Sequence, residues 1–94
     1  MIHPKFYVKE LTLADTEYEF VFPEITKKVM IQARTSVVIR MSYEAGKVAS
    51  STDPFFTIKS GNTYFDNDLK LNKGTVLYLA SPSAGCKVEI LSFD

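Results

Sequence analysis

Apolar and polar residues alternate with a period of two along most of the chain. They fall in short runs separated by clusters of Gly, Pro, Asn, Asp and Ser. That is the spacing of half-buried β-strands joined by turns, recurring here at intervals of roughly 10 to 15 residues. The clearest run is 37–43, where Val37, Ile39, Met41 and Tyr43 alternate with Val38, Arg40 and Ser42. Further strands are predicted over 6–13, 18–22, 28–34, 55–59, 63–65, 69–71, 75–80 and 87–93. Pro23 ends the second, because proline cannot donate to a ladder. Ser60-Gly61-Asn62 and Asn72-Lys73-Gly74 read as tight turns, Asp66-Asn67-Asp68 as an acidic kink, and 44–54 as a long exposed loop. Residues 24–28 are long enough for one helical turn, and no segment sustains a helical period. The pattern predicts an all-β fold of seven to eight strands, either a small antiparallel β-sandwich of jelly-roll type or a closed β-barrel.

Ninety-four residues suit one domain, read as 1–94, and a domain of this size has little apolar area to spare for deep clefts. Lys plus Arg and Asp plus Glu number 11 each, so no global field draws the chain to nucleic acid or an anionic membrane. No apolar run has the length of a membrane span, and Lys5, Lys9 and Glu10 interrupt the first segment too often for a signal peptide. The single cysteine, Cys86, excludes an internal disulfide and reads as a small buried side chain beside Gly85.

Catalytic patterns are missing from the sequence. It has no G-x-S-x-G elbow, no P-loop, no H-E-x-x-H and no Cys/His cluster, and its one histidine, His3, reads as a solvated terminal residue. The carboxylate pairs Glu17/Glu19 and Asp66/Asp68, together with Glu44, fit a wet strand face and a polar bend better than acid–base machinery. Asp66 and Asp68 offer hard oxygen ligands for an ion but lack the glycine and distal glutamate of an EF-hand loop. No enzyme activity, cofactor or metal is therefore expected. Lys27, Lys28, Arg34 and Arg40 are scattered rather than clustered, which disfavours nucleic acid. An aromatic platform such as Tyr64 or Tyr78 keeps a carbohydrate-binding module as the alternative function.

The informative excess is apolar. A sandwich strand has one core face and one wet face, yet Val76-Leu77-Tyr78-Leu79-Ala80 and Phe20-Val21-Phe22 are apolar on both, and Met30-Ile31 and Phe55-Phe56 add to this. Loops, the N-terminal segment, barrel closure or a partner must cover the second face. If a partner does, Phe20, Phe22, Leu77 and Leu79 are the interface candidates.

From Lys27 onward the order of parts resembles small β-rich accessory or decoration proteins of tailed-bacteriophage virions. The resemblance lies in Val29-Met30-Ile31-Gln32-Ala33-Arg34 followed by Val37-Val38-Ile39-Arg40-Met41-Ser42-Tyr43 and a loop of small and acidic residues. Phe56-Thr57-Ile58-Lys59-Ser60-Gly61 then leads to an acidic turn, and Thr75-Val76-Leu77-Tyr78-Leu79-Ala80-Ser81 precedes Ala84-Gly85-Cys86-Lys87-Val88-Glu89-Ile90-Leu91. The resemblance implies a non-enzymatic structural role in the virion, made in the host cytoplasm. It also implies docking on a capsid or neck protein, with copies that associate into a homo-oligomer. Residues 1–26 lie outside it and are read as an additional strand pair or a docking arm.

Overall fold

The computed structural model describes residues 4–93; His3 lies outside that range. Eight strands form: β1 (Pro4–Leu11), β2 (Tyr18–Val21), β3 (Lys28–Ala33), β4 (Ile39–Ser42), β5 (Phe56–Ile58), β6 (Thr63–Asp66), β7 (Val76–Ala80) and β8 (Cys86–Phe93). They make two four-stranded antiparallel sheets, sheet A in the order β1-β8-β3-β6 and sheet B in the order β2-β7-β4-β5. Each sheet keeps two free edges, so the chain is a sandwich of two layers and not one closed sheet. None of the described residues is helical.

The alternation seen in the sequence is what divides the two layers. Leu11, Val29, Ile31, Cys86, Val88 and Ile90 point inward from sheet A or its end, and Phe22, Ile39, Met41, Ile58, Leu77 and Leu79 meet them from the sheet B side. Both open sides of the sandwich are closed by aromatic contacts between the sheets. On one side Tyr7 of β1 meets Phe20 of β2 at 5.1 Å between centroids, and Phe20 meets Phe22 edge-on at 5.0 Å. On the other side Phe56 of β5 meets Tyr64 of β6 at 5.5 Å, also edge-on. Such offset geometries are favoured by the ring quadrupoles.

Several sequence expectations change. Residues 24–28 make no helical turn; Thr26 instead bridges to Leu71, and this isolated bridge is all that remains of the strand expected over 69–71. The turn at Ser60-Gly61-Asn62 forms, with Gly61 at φ 80° and the Asn62 amide donating to the Lys59 carbonyl at 2.9 Å. It carries the chain from one sheet to the other and makes no hairpin, because β5 lies in sheet B and β6 in sheet A. Likewise β1 and β2 do not pair with each other: β1 runs along β8 and β2 along β7, each an edge strand of its own sheet.

Candidate interaction surface

Three of the four interface candidates are core residues. Phe22, Leu77 and Leu79 have no exposed surface, and Phe20 turns inward onto Tyr7. In a period-two strand the set that reaches the outside is the alternate one, which on these strands is Glu19, Val21, Val76, Tyr78 and Ala80. The strands are apolar on both faces, and of the two alternate sets it is Phe22, Leu77 and Leu79 that the core takes.

What covers the second face differs between the sheets. On sheet B, Arg40 and Ser42 project outward from β4, yet both are buried, as is Ala80 beside them on β7. The loop 44–54 is exposed along most of its length, as expected, yet folds back over them through Val48 and Pro54. Val48 of that segment is fully buried although it is not part of the core between the sheets. Arg40 Nε donates to the Val48 carbonyl at 2.6 Å, and Arg40 Nη2 pairs with Asp15 Oδ1 at 2.7 Å. Ser42 Oγ donates to the Pro54 carbonyl at 2.9 Å, and the Gly46 amide donates to Glu17 Oε1 at 2.9 Å. Arg40, which alternates with the inward Ile39 and Met41, is therefore the buried anchor of a loop.

Sheet A has no such cover. The strand registers put Phe6, Leu91, Met30 and Phe65 opposite one another in one row that crosses all four strands. All four point away from the core. Phe6 is 79% exposed, Phe65 51%, and Val8 beside Phe6 on β1 53%. Leu91 and Met30 in the middle are partly buried. The next row is Val8, Glu89, Gln32 and Thr63, polar except for Val8 at its β1 end. Its polar members satisfy one another and Arg34: Thr63 Oγ1 donates to Gln32 Oε1, Gln32 Nε2 to Glu89 Oε1 and Arg34 Nε to Glu89 Oε2, at 2.9, 2.9 and 3.0 Å. These two hydrogen bonds from Gln32 and Arg34 hold the Glu89 carboxyl below its ordinary range. Between the rows lies a shallow depression of about 280 Å³. An apolar row backed by an ordered polar row suits contact with a protein surface, whereas nothing in it converges for chemistry.

The candidates for other chemistry are placed as follows. Asp66 Oδ1 accepts from the Asp68 amide at 3.0 Å and Oδ2 from the Tyr64 hydroxyl at 3.3 Å, which makes the acidic segment a hydrogen-bonded bend. Among the described residues no three His, Cys, Asp or Glu side chains gather as a metal site. Cys86 is buried and unpaired. Tyr64 faces Phe56 at the rim of the core, and Tyr78 is partly buried on the outer face of sheet B. Tyr43 lies near Tyr64 and Asp66; burial, then the charge of those two groups, pushes its hydroxyl up to about 12. Sequence reasoning missed the row on sheet A because its members sit on four strands far apart in the chain, and only the register brings them into line.

No family model and no curated protein matches the chain. Among solved structures it is similar to a chain from the work titled "Bacillus endospore appendages form a novel family of disulfide-linked pili". The TM-score is 0.50 at 11% identity, over 98% of this chain and 84% of that one. The likeness is one of fold.

Proposed function

We propose that this is a non-enzymatic structural subunit, a decoration or cementing protein of a tailed-phage virion, which associates with protein neighbours in the particle through the outer face of sheet A. We also read its sandwich as a jelly roll. The pairings β1 with β8, β2 with β7, β3 with β6 and β4 with β5 support this, since they are those of one long antiparallel ribbon folded over on itself. The virion context rests on the resemblance from Lys27 onward.

The observation that carries the association is the contrast between the two outer faces. A loop anchored by the buried Arg40 and its ion pair covers Ser42 and Ala80 in the middle of sheet B, where Val21 at the edge stays half exposed, whereas Phe6, Val8 and Phe65 stand bare together on sheet A. Large exposed side chains aligned in one patch mark association surfaces. Co-sedimentation with particles of the encoding virus tests the reading. The wild-type chain is expected to pellet with them and the Phe6→Asp, Phe65→Asp double variant to stay in solution; equal pelleting of the two would refute the surface.

Carbohydrate binding keeps one observation in its favour. Tyr43, Phe55, Phe56 and Tyr64 border an open cavity of about 470 Å³ beside Glu44, a mixture of aromatic and polar groups suited to a sugar ring. Saturable glycan binding that weakens on Tyr64→Ala or Phe56→Ala is its test, and a glycan array without signal removes it.

A further inference from the structure

We infer that the occupant of the outer face of sheet A is a second copy of this chain, packed face to face about a twofold axis. This rests on the reading of that face as an association surface and names the partner.

The area fits. At 79% and 51% exposure, Phe6 and Phe65 together present roughly 260 Å² if a phenylalanine offers about 200 Å². Val8 and the partly buried Met30 and Leu91 bring the apolar patch to roughly 400 to 450 Å², the size range of functional patches on single chains. A stable interface takes about 800 Å² from each partner, a little over half of it apolar. The row together with Val8 therefore supplies about the whole apolar share, and Gln32, Arg34, Glu89, Thr63 and Lys28 around them supply the polar rim.

The charges fit a copy better than a strongly acidic or basic partner. The same face carries Arg34 with Glu89, Glu10 opposite Lys87, and Lys28 beside Phe93. Both signs are interspersed, and the chain as a whole carries a formal net charge of zero. Two copies then meet without long-range repulsion, while a partner with a field of one sign finds no matching field here. An isologous contact also asks each row to match only itself, which an apolar row beside a polar one satisfies.

Analytical ultracentrifugation of the full chain tests this, with three proteins compared: wild type, Phe6→Asp with Phe65→Asp, and Val21→Asp. Val21 is 49% exposed on the opposite sheet, so its variant controls for a new surface charge. Circular dichroism checks that all three are folded. The wild type and Val21→Asp are expected to sediment as dimers of the 10.6 kDa chain. Replacing the two exposed aromatics at the ends of the row by charges should raise the dissociation constant at least roughly a hundredfold and leave the double variant monomeric. A wild-type dimer that survives the double substitution overturns the inference. So does a monomeric wild type; if that monomer still pellets with particles in a manner that depends on Phe6 and Phe65, the face is an association surface for a different protein. If neither measurement responds to the substitutions, the reading of the face falls as well.

Discussion

Arg40 Nε donates to the Val48 carbonyl at 2.6 Å, joining a strand of sheet B to the middle of the loop 44–54. The guanidinium is buried, and its other end pairs with Asp15, whose side chain is 60% exposed. Removing the arginine strands a buried carbonyl and frees the loop, whereas removing the aspartate breaks a pair that water half-replaces. Arg40→Ala is expected to cost about 2 to 4 kcal/mol and Asp15→Ala less than about 1 kcal/mol. Urea midpoints measure both. Equal, small costs would mean that the loop is not anchored at Arg40.

The inward set of β7 is a second point of test. Leu77 is fully buried between the sheets, and Val21 on the neighbouring strand is half exposed. Leu77→Ala should cost about 2 to 5 kcal/mol, a large part of the roughly 5 to 15 kcal/mol that holds a domain folded. Val21→Ala should change stability by less than about 1 kcal/mol. The reverse order, read from thermal or urea unfolding, would place Leu77 at the surface and Val21 in the core.

How much the sequence reveals can be judged on these same strands. Their existence and most of their limits follow from alternation and turn residues, because period two and Gly, Pro or Asn breaks are local signals. Gly61 and Gly74 both take positive φ where turns were expected. The orientation of a strand that is apolar on both faces is not a local property. Nothing within Val76-Leu77-Tyr78-Leu79-Ala80 says which set is covered by the other sheet and which by a loop. The cover over sheet B depends on Val48 and Arg40 meeting across a loop, and the row on sheet A depends on the registers of β1, β8, β3 and β6. Both are products of long-range pairing, and alternation carries no record of either.

Alkaline unfolding should report Tyr43. Its hydroxyl is raised from 10.0 to about 12 in the folded chain, so the unfolded chain loses its proton first. The stability this contributes is full below about pH 10 and declines as pH rises through about 12. Tyr43→Phe should flatten that decline, and phenolate absorbance should show Tyr43 titrating late, with Tyr64, raised by burial and then by Asp66, also above the ordinary range. A normal titration of all tyrosines would contradict the placement of the partly covered Tyr43 beside Tyr64 and Asp66.

Acid should act through Glu89. Its carboxyl is lowered from 4.5 by hydrogen bonds from Gln32 and then Arg34, so the folded state holds the ionised form. That contribution is present above the unfolded value and is lost as pH falls through the lower folded value. Glu89→Gln should therefore remove part of the acid dependence of the urea midpoint. Unchanged acid dependence would mean that the polar row beside Phe6 and Met30 is not ordered in solution.

Hydroxyl-radical footprinting of the chain across a dilution series that spans dissociation of the dimer tests the role of sheet A most directly. Phe6, Met30, Phe65 and Leu91 are expected to be protected together in the concentrated, associated chain and to react at high dilution, while Val21 and Tyr43 react alike at both ends of the series. Equal reactivity of the sheet A row at both ends would contradict the account.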